Sequence, residues 1–571
     1  MKNKKYSFGI LFVSILLLMS SVLAETWYYR DDELVGSTSG KIFDYDDKYA
    51  LLNNASFANN ISVDGRVLDN TDFNSWDAFD YSGYDQDLNS TNNVEFSQVT
   101  TGSVVRNSTH DNINTFIRNS NGKYWAATGA NIQNAIDDLN NESGWVELPP
   151  CDIELTSPID LGDGCWLRGA GNASILRLAD DANCTMLRNY DRTNGNVFIR
   201  VSDIKLEGNS LGQDVWGGSP NPPYDPFFSY THGVYLEKCT DCEIYGITTN
   251  DTQDCGVFAG HCERINTHDC FFHNSGIAFD GVSTFEHYTA AGIYYYNTSD
   301  SIINDLIIDN PYSAGVIIEG EYAEYPHGTN SVSVSDCVVT NTGCGYYTED
   351  ALHCVFDNCV VSCNQNNMCW SPYTVGSSGF KIRGTCSDIT LSNCIMTDSY
   401  WGIDIAIGSK YITMTGCEIN NTANKGMLVA CTDSLISYNT IADVGHWAIH
   451  LQSGAAKNDF SHNIITNVPG GYDALYDQGN NNTISFNFFT DLGHWDAAIR
   501  IASASDETVV YNTIIGIGGS YPNIGINGAN TDTDCIVMFN KFQNVQNEIY
   551  QCNARVNCTD YDDWNFYSGV S

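Results

Sequence analysis

Across 571 residues the chain carries 69 Asp and Glu against 26 Lys and Arg, a formal net charge of −43. Nucleic acid is thereby excluded as a partner, because polyphosphate binding needs a basic footprint. The same field opposes polyanionic chains unless cations bridge, which leaves neutral ligands, or ligands held through Ca2+, as the ones that fit; no other cofactor is called for.

Lys2, Lys4 and Lys5 precede an apolar run from Phe8 to Met19, and Val22-Leu23-Ala24 stands at the cleavage positions. That is the pattern of a signal peptide over residues 1–24, so the mature chain is expected to be secreted or held at the cell surface. No other run reaches the roughly 20 apolar residues of a membrane span. All 21 Cys follow residue 150, and export permits disulfides, with Cys239/Cys242, Cys255/Cys262 and Cys552/Cys558 as locally spaced candidates. Sequons at Asn54, Asn89, Asn172, Asn297 and Asn481 fit a glycosylated surface protein.

Residues 25–122 are rich in Asn, Asp and Ser and read as an attachment or linker region. Its stretch Asp85-Gln86-Asp87-Leu88-Asn89 to Phe96 resembles a segment of phage tail-fibre and tailspike proteins, which implies an attachment or trimerisation module and a homotrimer. Between Ala130 and Asn140, Ile132, Ala135, Ile136 and Leu139 fall at i, i+3, i+4 and i+7, predicting a short amphipathic helix. It precedes a first strand at Trp145–Leu148, where the open end of a solenoid needs a cap. Coils proper are expected from Val201. Aromatic insertions at 211–230, 285–288, 322–327 and 370–373 are long for connections within a repeat and are expected to wall a groove.

From Asp336 to Asn540 one short phrase recurs, with Cys337, Cys359, Cys394 and Cys417 and then Asn439, Asn463, Asn487, Asn512 and Asn540 in the same slot. Most steps are about 22 to 28 residues, the period of a solenoid coil. A second phrase, Gly-apolar-x-apolar, follows at Gly379-Phe380-Lys381-Ile382 and Gly402-Ile403-Asp404-Ile405, and continues at Ala448-Ile449-His450-Leu451 and Ala498-Ile499-Arg500-Ile501. Period-two alternation makes these strands with one buried face. In a parallel stack equivalent residues lie about 4.8 Å apart, so inward Asn side chains can bond one another and the turn backbone. An unpaired buried amide costs about 1–3 kcal/mol; a ladder of amides satisfies itself.

These repeats, with the lead-in Ile132-Gln133-Asn134-Ala135-Ile136, Gly144-Trp145-Val146-Glu147-Leu148-Pro149 and Leu167-Arg168-Gly169-Ala170-Gly171, resemble the pectin-lyase-like superfamily in its pectate-lyase-3 and NosD-like repeat style. The resemblance implies an all-β, single-stranded right-handed parallel β-helix over residues 123–571. It hosts lyases, hydrolases, epimerases, tailspikes and adhesins, so activity must come from the site.

The x residues should face outward and stack into a stripe: Tyr235, Phe258, Ala278, Tyr294, Ile317, Tyr347, Lys381, Asp404, Leu428, His450, Tyr476, Arg500, Asn527. Two residues on, Glu237, Asp280, Tyr296, Glu319, Glu349 and Arg383 form a second. Aromatic rings on a flat face suit sugar rings, which makes a polysaccharide or surface glycan the expected partner, with Tyr294, Tyr347, Tyr476, Glu349, Trp216 and Tyr322 as binding residues. Lyase chemistry wants a base and a cation, and Lys381, Asp404, His450 and Arg500 are the candidates. Lys381 and Asp404 can also pair merely as a surface ion pair. Two-carboxylate hydrolysis needs about 5–9.5 Å, and Glu349 and Asp404, at about 11–12 Å, are too far apart. Polygalacturonase-like hydrolases carry paired Asp, Gly-His-Gly and Arg-x-Lys. This chain has Glu349-Asp350, Gly445-His446-Trp447 and Gly493-His494-Trp495 but no Arg-x-Lys. The expected activity is therefore a lyase ahead of a hydrolase, and the rival from another class is a non-catalytic adhesin.

Overall fold

In the computed structural model the described residues are 116–140, 142–213, 232–276, 291–320, 331–364, 376–469, 471–493 and 497–550 apart from 503, 517–523, 529–534, 544 and 546. Before residue 116 only strand backbones are described. The chain forms two units, Met1–Asn114 and Thr115–Ser571. In the first, three antiparallel hairpins are described, at Trp27–Arg30 with Glu33–Ser37, Phe43–Tyr45 with Tyr49–Leu51, and Ile61–Val63 with Arg66–Leu68. The signal-peptide stretch, the tail-fibre-like stretch from Asp85 and the Cys552/Cys558 pair lie outside the described residues.

The second unit is a right-handed parallel β-helix. Each full coil contributes two strands to a 30-stranded sheet and one to a 15-stranded sheet, so strands pair only with their equivalents in neighbouring coils. The coils start earlier than Val201. Gly144–Glu147 already pairs in parallel with Cys165–Leu178, and that strand with Arg200–Glu207. Cys151 already stands in the slot of Cys337, but Ser174, Ile204 and Ile247 follow it there, so the phrase does not recur in these coils. Helix α1, Gly129–Asp137, caps this end. The Thr128 hydroxyl accepts the Asn131 N–H as its N-cap, and Ile132, Ala135 and Ile136 are buried beneath it.

Alternation fills the prism. In Ser378–Arg383, Phe380 and Ile382 point inward and are buried, and Phe380 stacks on Tyr346 one coil earlier at 4.5 Å. The glycine ahead of each such strand is needed for space, since a Cβ at Gly379 would meet the Gly402 carbonyl oxygen at 2.6 Å and Met396 Cβ at 2.9 Å. Backbone and core crowd together there, and no side chain fits between them.

The amide column forms as its spacing predicts. Asn463 Oδ1 accepts both the backbone N–H and the Nδ2–H of Asn439, each at 3.0 Å, while Asn439 Nδ2 also reaches the Met414 carbonyl at 3.2 Å. The pattern repeats from Asn463 to Asn487, Asn512 and Asn540. Above it the thiols occupy the same slot with weaker bonds. Cys417 Sγ reaches the Leu391 carbonyl at 3.7 Å, and its N–H donates to Asn439 Oδ1 at 2.9 Å, joining the two columns. A second, unforeseen column runs Ser434, Asn458, Asn482, Glu507, each accepting an N–H from the coil before.

The expected bridges Cys239/Cys242 and Cys255/Cys262 are not formed, and all four residues are buried free thiols. Cys239, Cys242 and Cys262 fill inward rung positions as small apolar side chains, and Cys255 packs outside the prism beside Tyr235 and Phe258.

Candidate functional site

Strand register writes the outward stripe almost as the spacing predicts. Tyr235, Phe258, Tyr294, Ile317, Tyr347, Lys381 and Asp404 are successive partners, followed by Leu428, His450, Tyr476, Arg500 and Asn527. Ala278 and Asp280 drop out, because Phe258 and Gly260 pair directly with Tyr294 and Tyr296; both residues lie outside the described ones. Trp216, Tyr322, His494 and Trp495 also lie outside them.

The stripe is outward but not open. Tyr235, Phe258, Tyr294 and Ile317 are buried in a second apolar cluster with Cys255, Ala291, Ala314 and Cys344, and Tyr296 and Tyr347 pack against it. This part of the stripe is packed and buried, so it is not a flat sugar platform. Lys381, expected as an accessible base, is 1% exposed, and Asp404 is 4% exposed. Asp404 takes its ion pair from Arg383, at 3.0 Å, in place of the surface pair expected with Lys381. His450 stands three coils beyond Lys381 and Arg500 five, at about 14 and 24 Å, so the four proposed lyase residues do not converge.

What does converge is the second row. Glu319 and Glu349 close the strands Ala314–Glu319 and Cys344–Glu349 and are direct register partners, about 4.8 Å apart at the backbone. The Tyr294 phenol donates to Glu319 and the Tyr347 phenol to Glu349, and Tyr235 repeats the motif on Glu237 at 3.1 Å. Both glutamates are half-buried. Burial, against the pull of the Tyr294 hydrogen bond and with the charges of Glu349 and Asp350, pushes Glu319 up to about 7. Asp350 is fixed by the Thr385 N–H at 2.7 Å, and Arg383 follows Glu349 in register. Glu319 was legible in the second stripe. The separation that mattered was Glu319 to Glu349, one rung apart, and not Glu349 to Asp404.

Asp477 points inward, as its register requires, and is buried beside Glu507 on the second amide column. Among the described residues one group, His232, Asp254 and Cys255, brings three metal-ligand types together, all buried and within 4.8 Å. The Cys255 N–H donates to His232 Nδ1 at 3.4 Å, and burial holds the imidazole neutral and the thiol protonated. The Nδ1 lone pair is taken up within this corner, where the three side chains pack together.

The coils and their ladders define the class, a right-handed parallel β-helix protein. The family model for a right handed beta helix region matches residues 227–374 and 325–489. No curated protein matches the chain significantly. Among solved structures, the A-module of the mannuronan C-5 epimerase AlgE6 of Azotobacter vinelandii is similar at 13% identity and a TM-score of 0.34, covering 74% of this chain and 91% of that one. A tailspike protein of E. coli bacteriophage HK620, in complex with a hexasaccharide, is similar at 13% identity and a TM-score of 0.44, covering 74% of each chain. Identities this low speak to the coil and not to the site.

Proposed function

We propose that the chain is an exported glycan-cleaving β-helix that works as a retaining glycoside hydrolase, with Glu319 as general acid and Glu349 as nucleophile. The register pairing of these two carboxyl groups carries the reading. Retaining hydrolysis uses carboxyls about 5–5.5 Å apart, and adjacent rungs of a parallel sheet come closest to that spacing. A carboxyl pushed up to about 7 is still protonated where the leaving oxygen must receive a proton. The Tyr347 phenol, donating to Glu349, orients the nucleophile before attack. Glu319, relieved of its proton in the first step, can take one from water in the second. The signal-peptide pattern supports export. The lyase expectation loses support because its base and its cations are buried or coils apart.

The test is a screen of immobilised glycans for new reducing ends, read in parallel for unsaturated products. Reducing ends without unsaturation, lost in Glu349→Gln and Glu319→Gln while the fold persists, are the expected result. Unsaturated products would return the lyase reading, and binding without cleavage the adhesin.

A further inference from the structure

Three coils beyond Glu349 begins a stack that the hydrolase reading does not use. Lys425 Nζ stands 5.2 Å over the Trp447 ring, Trp447 stacks on Tyr476 at 4.9 Å and 13°, and the Arg500 guanidinium covers Tyr476 at 5.5 Å. These residues come from successive coils, so the stack runs along the axis with a cation at each end. The ring faces are taken up by the stack itself, which leaves cations and ring edges to a ligand.

Among the described residues, buried polar atoms without hydrogen-bond partners occur along the stack: Asn424 Oδ1, His446 Nδ1, His450 Nδ1 and Arg500 Nε. Natural structures leave few such atoms unmet, and a cluster of them marks groups held ready for something else. His450 is the clearest. Its Nε2–H donates to Gln478 Oε1 at 3.2 Å, and Gln478 Nε2 donates to the Tyr476 hydroxyl at 3.2 Å, so Nδ1 carries a bare lone pair. Burial, together with Lys425 and His446 and against the Gln478 bond, pushes His450 down to about 4, which keeps it a neutral acceptor. The acids nearby are Asp404, which acts on Lys425, and Asp473, 3.8 Å from Arg500.

We propose that this stack is a subsite for an anionic sugar residue within an otherwise neutral glycan, with Lys425, the cation beside His446 and His450, taking the acid group and His450 Nδ1 accepting a sugar hydroxyl. The position of the cut relative to this residue rests on the hydrolase reading; the subsite does not. Around the cut the row is acidic, with Glu237, Glu319, Glu349 and Asp350, and it repels a uniformly charged chain. The coil of Lys425 lies three coils beyond that of Glu349, about 14 Å away, so the two demands fall on different sugars of one chain.

The test uses the Glu349→Gln chain, which leaves the stack intact, and calorimetric binding of matched pairs. These are sialylated and desialylated lacto-N-tetraose, sulfated and unsulfated trigalactose, and trigalacturonate against trigalactose. At least one singly charged member should bind about tenfold tighter than its neutral partner, and 0.5 M salt should remove the difference. Lys425→Met should abolish the preference without altering neutral binding or thermal unfolding, and Arg500→Met, at the far end of the stack, should leave the preference in place. Which acid gains more separates carboxylate from sulfate. Equal binding within every pair, no binding by any pair, tightest binding by trigalacturonate, or a preference that survives Lys425→Met would each overturn the subsite. A preference in a chain that cleaves nothing removes only the hydrolase reading; cleavage without preference removes only the subsite.

Discussion

The coils before Gly416 and those after it solve the same corner in different ways. In the earlier ones the inward slot holds thiols at Cys270, Cys337, Cys359 and Cys394, and the left-handed residue beside each is Asp269, Asp336, Asn358 or Asn393, types that tolerate positive φ. In the later ones the slot holds amides and the left-handed residue is Tyr438, His462, Phe486, Tyr511 or Phe539. These rings stack at 4.7, 5.0, 4.9 and 5.0 Å. A bulky residue at positive φ costs about 1–2 kcal/mol, and a stacked pair returns about 0.5–1.5. The later coils thus concentrate strong directional bonds, while the earlier ones rely on apolar burial and hold the half-buried acids, whose desolvation a catalytic site needs. Rigidity and chemistry are placed on different stretches of one repeat.

Changes that break this division should rank by the role disturbed. Glu319→Gln should lower turnover by about 10²–10⁴-fold, the usual range for a lost general acid. In the unaltered chain activity should fall as pH rises through about 7, because the acid must be protonated to donate; a pH–rate profile checks the alkaline limb. Asn487→Ala leaves the Asn463 N–H and the Phe460 carbonyl unmet and should cost about 2–4 kcal/mol in chemical denaturation. Cys417→Asn extends the amide column one coil upward and should add about 1 kcal/mol, which sharpens the contrast from the other side. Burial and the Asp477 charge hold Glu507 protonated, its carboxyl raised above the ordinary value of 4.5. Its contribution to stability is complete below that value and is lost as pH climbs above it, and Glu507→Gln should flatten the alkaline decline of the melting temperature. Phe486→Asn gives up two stacks and relieves the backbone, so denaturation should move by less than about 1 kcal/mol.

The coil was legible because its signals are periodic. Asn439, Asn463, Asn487 and Asn512 recur at one slot, and a buried amide has few ways to be satisfied. The second column was equally written in Asn458 and Asn482, and the rings in the residue just before each Asn, but neither was looked for in the phrase. Burial of Tyr294 and Lys381 was not legible, since period two says which way a side chain points and not what lies over it. Nor could spacing alone place Lys425 against Trp447, because that contact joins a corner of one coil to a corner of the next. Glu319 was legible as a member of the second stripe. Only the choice of which pair to measure hid it.

The glycines ahead of the inward strands carry one last implication. Because each leaves just enough room for the carbonyl of its counterpart in the next coil, a partial insertion there has nowhere to go. Growth or shortening of such a protein is therefore quantised: excising residues 440–463 as a block would hand Asn439 the acceptor that Asn463 now uses, whereas removing half as many would leave the Asn439 donors out of register with any amide.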